Sequence, residues 1–132
     1  MSTFLLVHLQ AGNSTIYQYP VVNWVKTNYP EVTVLDVDNT SDELLISYAC
    51  RLISEENKVV IYFISESPDA PLGAALRIVE TLISSENANI RVLVAGEHQR
   101  LKNIFSARLH ISFLTSEDIF QLQTAITTFY NT

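Results

Sequence analysis

Glycine is scarce. The chain of 132 residues holds three, Gly12, Gly73 and Gly96. They form neither a Gly-x-Gly-x-x-Gly turn nor a Walker-type phosphate loop, so those two nucleotide cradles are excluded. Cysteine is scarcer still. Cys50 stands alone, so no internal disulfide can form. It falls inside the helical run LLISYACRLI and reads as a small core residue rather than a nucleophile. This usage suits a reducing compartment, and the expectation is a cytoplasmic protein. The histidines, His8, His98 and His110, lie far apart, with no H-x-x-x-H spacing and no carboxylate at ligand spacing, so no metal site is expected. Basic residues number 8 against 14 acidic ones, for a net charge of -6. That balance gives no general attraction for nucleic acid or anionic lipid. The opening MSTFLLVHLQ carries no basic region before its apolar run, and the run is too short for a signal peptide or a membrane span.

Apolar residues are plentiful, at 48 % of the chain, enough to fill a core without staples. They fall into an alternating pattern. Phe4–Leu9, Val32–Val37, Val59–Ile64, Ile90–Ala95 and Leu109–Leu114 are short, mostly continuous runs rich in Val and Ile. Strands buried on both faces of a parallel sheet look like this. Between the runs, apolar residues recur at helical spacing, as in Leu72, Ala75, Leu76, Val79, Leu82 and Ile83, or Leu45, Ala49, Leu52 and Ile53. The last segment repeats the pattern with Ile119, Leu122, Ile126 and Phe129. A short fourth helix is expected around Gln99 to Phe105. Thr40-x-x-Glu43 reads as a capping box, and Thr115-x-x-Asp118 resembles a second. Asp69 before Pro71 reads as a cap followed by a first-turn proline, and Pro20 marks the first turn of helix one.

Five βα units with right-handed crossovers give a three-layer α/β/α domain spanning residues 1–132. Its five-stranded parallel sheet has the flavodoxin-like order 2-1-3-4-5. In such a sheet ligands bind beyond the carboxyl ends of the strands, at the switch between strands one and three. That rule selects Gly12, Asn13, Ser14 and Thr15 after the first strand, and Ser65 and Glu66 after the third. Glu97 and His98, after the fourth, complete the candidate ligand-binding set. The loop AGNST slightly resembles the phosphate loop of flavodoxins, which implies an anion or FMN held on backbone N–H groups at a helix start. As a plain βα turn, it needs only Gly12 at positive φ and Asn13 or Ser14 as a cap. The loops after strands three and four lack aromatic residues to sandwich a flavin ring, and no cofactor is expected.

VTVLDVDNTSDE, residues 32–43, resembles the nucleophile strand of haloacid-dehalogenase-type phosphatases. The resemblance implies Asp36 as nucleophile, Asp38 as acid and base, Ser65 as a supporting hydroxyl and a bound Mg²⁺. The chain departs from that pattern. The strand is second of five, a helix cap follows at once in place of a flap, and no lysine between Ile83 and Val94 precedes the acidic loop. A response-regulator receiver is similar in length and architecture, yet the acid pocket, the phospho-acceptor Asp and the lysine of that family are missing. VVIYFISESPD slightly resembles a stretch of Toll/interleukin-receptor-like domains, whose opening strand and serine-rich loop are unmatched.

Two surface features remain. Arg91, Arg100, Lys102 and Arg108 crowd into one stretch and read as a solvated helix or as a docking face. Tyr17, Tyr19, Trp24 and Tyr29 cluster around helix one, where aromatics serve the core or an interface. A mean hydropathy of +0.18 favours some exposed apolar surface and self-association. The sequence therefore points to a non-catalytic binding or regulatory domain with a protein partner or a second copy of itself. The alternatives are Mg²⁺-dependent phosphoryl transfer by Asp36 and Asp38, and anion binding at Gly12–Thr15.

Overall fold

Every residue from Thr3 to Leu9 is buried, a demand met only by a central strand covered on both faces. The computed structural model describes residues 2–10, 20–55, 58–87, 89–108 and 111–131. Its strands are β1 (Ser2–Leu9), β2 (Thr33–Asp38), β3 (Lys58–Ser65), β4 (Ile90–Ala95) and β5 (Ser112–Thr115). The helices are α1 (Pro20–Asn28), α2 (Glu43–Glu55), α3 (Leu76–Ser84), α4 (Gln99–Ser106) and α5 (Ile119–Tyr130), with a 3₁₀ turn at Gly73–Ala75 before α3. The sheet order is β2-β1-β3-β4-β5, and each neighbouring pair is parallel. This is the three-layer flavodoxin-like topology expected from the sequence.

Strand alternation sorts the apolar side chains into two cores. Leu5, Val7, Ile61, Phe63, Val92 and Val94 face α2, α3 and α4. Phe4, Leu6, Val60, Tyr62 and Leu93 face α1 and α5. Cys50 is half-buried at the α2–α3 seam, with Sγ 3.7 Å from the Arg77 carbonyl. Trp24 and Tyr29 pack with Tyr130 against the α1–α5 core, so these aromatics of the first helical region cover the sheet. Tyr17 and Tyr19 lie outside the described residues. Tyr130 donates from its phenol to the Thr3 carbonyl at 2.7 Å. Burial pushes the Tyr62 phenol up to about 12. Lys58 Nζ donates to the carbonyls of Phe129 and Tyr130, each at 3.2 Å, and so holds the C-terminal end of α5.

Local hydrogen bonds correct several expected boundaries. α2 is capped by Asp42, whose Oδ1 accepts from Leu45 N at 2.8 Å, and not by Thr40. Thr40 turns back instead and bonds Asp38 through both N and Oγ1. Asp118 caps α5 by accepting from Phe120 N, which removes the Thr115 box. Asp69 caps nothing, because its Oδ1 accepts from Ser67 Oγ. α3 starts later than Pro71 predicts, since Ala74 N is taken by the Asn39 carbonyl. β2 begins at Thr33 because Val32 N closes a turn on Tyr29 O. Ile111 N bonds Arg108 O in a turn, so β5 begins at Ser112, and Leu109 and His110 lie outside the described residues.

Among the described residues one buried hydroxyl is left over. Thr3 is fully buried, and its hydroxyl has no partner among the described residues. A buried orphan hydroxyl costs about 1–3 kcal/mol, which an isosteric methyl avoids. Thr3→Val is expected to stabilise the protein by about 1 kcal/mol, read as a higher urea midpoint with an unchanged slope.

Candidate functional site at the carboxyl edge of the sheet

The ladder register brings the strand ends together. His8 lies opposite Asp38, Leu9 opposite Ser65, Ile64 opposite Ala95 and Val94 opposite Thr115. The loops after β2, β3 and β4 must then close over one edge, and their polar groups face each other. A buried asparagine organises the closure. Asn39 Nδ2 donates to the carbonyls of Gln10 at 2.9 Å and Pro71 at 2.7 Å, while Oδ1 accepts from Gln10 N at 3.2 Å. Its backbone N donates to His8 O, and its carbonyl accepts from Ala74 N. The side-chain amide thus imitates a strand partner for Gln10 and clips the β3–α3 loop onto the end of β1.

The two aspartates of the phosphatase-like motif differ in surroundings. Asp38 Oδ1 accepts from Thr40 N at 2.8 Å and Thr40 Oγ1 at 2.7 Å, and Oδ2 accepts from Gln10 Nε2 at 3.2 Å. This is an Asx turn with both carboxylate oxygens engaged. Asp36 shares the face of Asp38, as i and i+2 spacing requires, but it stands opposite Leu6 inside the ladder and not past the strand end. It is exposed because β2 is an edge strand. A cleft of about 260 Å³ beside this edge is lined by His8, Gln10, Asp36, Asp38 and Ser41.

Ser65 Oγ donates toward the carbonyls of Ser67 at 2.6 Å and Glu97 at 3.1 Å, tying the β3–α3 loop to the β4–α4 loop. The same two loops meet at Gly96, with φ at +90°, where an added Cβ would lie 2.7 Å from the Ser65 carbonyl. Gly73, with φ at +51°, packs on the Asn39 carbonyl, 2.3 Å from where its Cβ would be. Both glycines are required by close approach of backbones, not by a ligand.

His98 is the N-cap of α4. Its Nδ1 accepts from Leu101 N at 3.2 Å, and Nε2 lies 2.7 Å from the Ala70 carbonyl. An acceptor at Nδ1 and a carbonyl at Nε2 together require the neutral ring with its proton on Nε2. His8 Nε2 sits 2.9 Å from Glu66 Oε2, both side chains almost out of solvent. Next to His98, a cleft of about 250 Å³ is lined by Pro68, Glu97, Gln99, Lys102 and Thr115.

Ser65, Glu66, Glu97 and His98 are thus brought to one edge with Asp38. Gly12, Asn13, Ser14 and Thr15 lie outside the described residues, as does His110. Among the described residues no three His, Cys, Asp or Glu side chains gather as a metal site. The basic residues divide between the sheet's two ends: Arg91 opens β4 and bonds Ser112, while Arg100 and Lys102 begin α4. Sequence reasoning missed Asn39. Its partners lie 29 and 32 positions away, so no local spacing announces it. Compared with protein-family models, curated proteins and solved structures, the chain finds no match.

The capping role of His98 is testable. His98→Ala is expected to cost about 2 kcal/mol by losing the cap and the Ala70 bond, and His98→Asn to recover about half by restoring a cap acceptor. Ring nitrogen NMR shifts of the native protein are expected to place the proton on Nε2.

Proposed function

We propose that this protein is a non-catalytic binding or regulatory module of the signalling type, acting in the cytoplasm on a protein partner or a small ligand. The observation that carries this reading is the engagement of Asp38, Ser65 and His98 at the strand ends. Both oxygens of Asp38 hold their own turn and Gln10. Ser65 Oγ is directed at two carbonyls, and both nitrogens of His98 sit in a cap and a loop tie. Groups used this way position loops. A hydroxyl nucleophile needs its proton directed at a base, and a general base needs a free lone pair aimed at substrate.

The architecture favours a rigid edge with open clefts between its loops. The cleft beside α4 offers Lys102, Gln99 and Thr115 at its wall, with Glu97 opposing an anion there. On the other side Asp36, Asp38 and Glu66 make the β1–β2 edge acidic, which weighs against a phosphate-bearing ligand on that side. No helix among the described residues is long and apolar enough to cross a membrane.

The competing reading is Mg²⁺-dependent phosphoryl transfer by Asp36 and Asp38. Thermal melts with Mg²⁺ plus beryllofluoride, with FMN and with mixed nucleotides separate the two. A ligand near 100 times its Kd adds about 2.7 kcal/mol and raises Tm by roughly 5–15 °C. The binding-module reading expects no such rise with Mg²⁺ and beryllofluoride, and an Asp36→Asn variant that melts within about 1 °C of the native protein. A rise that Asp36→Asn abolishes would establish phosphoryl chemistry instead.

A further inference from the structure

The two outer strands of the sheet differ. β2 carries Asp36 and Asp38 within six residues, the kind of charge that keeps an outer strand from pairing with another chain. β5 reads Ser-Phe-Leu-Thr, with neither charge nor proline. Among the described residues no strand pairs with its outer side. The ladder decides which groups are left there. Ser116 N donates to Val94 O at 2.9 Å, so residues 112, 114 and 116 turn their peptide groups toward β4. Phe113 and Thr115, in alternation with them, turn theirs outward. Ile111 adds no outward donor, because its N–H closes a turn on Arg108 O. The open side therefore offers the N–H and C=O of Phe113 and of Thr115. Between these two, Leu114 is half-buried and walls an apolar groove of about 440 Å³ with Phe120, Thr124 and Ala125. Phe120 is 76 % exposed.

We infer that β5 pairs with β5 of a second copy of this chain, antiparallel about a two-fold axis at Leu114, and joins the two sheets into one. The pattern of donors and charges selects that occupant over other extended segments. The dyad sets Phe113 opposite Thr115 of the other copy, twice. Each such pair exchanges both N–H···O bonds, so every outward group of the two residues is met. The flanks of the strand are opposite in sign, with Arg108 before it and Glu117 and Asp118 after it. The dyad places Ile111 opposite Glu117 of the other copy, and the Ile111–Arg108 turn folds Arg108 back toward the same place. Each Arg108 thus meets a Glu117 across the axis. Among the described residues neither side chain makes an ion pair within its own chain. A segment of one charge sign would leave one flank opposed. On the α1–α5 face the two Leu114 side chains meet in a non-hydrogen-bonded pair, where opposed side chains come closest. The two grooves then run together and cover Leu114 and Phe120. Pairing β5 on β2 would build an open filament, which the β2 carboxylates oppose, whereas the β5 dyad closes as a dimer. The contact buries less than the roughly 1,600 Å² of a standard interface, which makes the dimer weak and concentration-dependent.

This inference goes beyond the binding-module reading and fails separately from it. Sedimentation equilibrium of the full chain from about 5 to 500 µM, with amide hydrogen exchange over the same range, tests it. The expected result is a monomer–dimer equilibrium in which the Phe113 and Thr115 amides slow as the dimer forms, while the Leu114 amide is slow throughout. Thr115→Pro removes an outward N–H and no bond to β4. It is expected to weaken the dimer roughly tenfold or more with unchanged circular dichroism. Phe120→Asp, at an exposed position, is expected to do the same. Arg108→Glu and Glu117→Arg each weaken the dimer, and the two together restore it. A monomer throughout that range, or a dimer whose Phe113 and Thr115 amides exchange as in the monomer, overturns the inference. A dimer indifferent to Thr115→Pro and Phe120→Asp overturns it too. A monomer whose β5 amides slow only on adding a different protein overturns it and leaves the binding-module reading intact. A Mg²⁺–beryllofluoride shift alongside a dimer with slowed β5 amides would support the dimer and remove that reading.

Discussion

The side-chain amide of Asn39 is the bond set on which the carboxyl edge of this sheet depends. It is buried, and it meets the Gln10 peptide from both sides while also holding the Pro71 carbonyl. Two carbonyls and one N–H around the amide leave one orientation that satisfies all three, so the amide cannot flip without losing them. Around it, Ala74 N closes on the Asn39 carbonyl and Gly73 packs against it. The end of β1, the end of β2 and the loop before α3 are therefore one hydrogen-bonded unit. Elsewhere, apolar burial carries most of the fold. Here a single side chain joins three segments.

The consequence reaches the clefts. The Asp38 turn sits next to Asn39 and faces Gln10, so the amide clip sets where the Asp38 oxygens lie. Ser65 and Gly96 extend the closure to the β4–α4 loop, and His98 ties that loop to Ala70. A chain of contacts thus runs from β2 to α4 across the strand ends. Such an edge is pre-organised and shows little free polar valence among these residues. It can present a shape and an acidic field to a partner with little ordering cost on binding.

Much of the fold was legible in the sequence because it is written locally. Val- and Ile-rich runs such as Val59–Ile64 can only be strands buried twice, and the stripe from Leu72 to Ile83 can only lie on a sheet. Alternation of the two types dictates parallel pairing, and handedness then limits the order. The caps were legible in kind but displaced in position. Asp42 outcompeted Thr40 because Thr40 was drawn back to Asp38. Asp118 likewise displaced Thr115. The edge itself was only half legible. The sheet rule selects Ser65, Glu97 and His98 by position, yet the partners of each are carbonyls on other loops, which composition does not reveal. Asn39 was invisible for the same reason.

The central claim is that the Asn39 amide, through its two donated bonds, holds the carboxyl edge together. Asn39→Asp tests it most directly, because the shape is kept while both donors to the Gln10 and Pro71 carbonyls become a repelling carboxylate. Equilibrium urea unfolding at neutral pH is expected to show a loss of about 3 kcal/mol or more, in line with a buried polar network broken on one side. A variant within about 0.5 kcal/mol of the native protein would contradict the account and return the organisation of the edge to apolar packing alone.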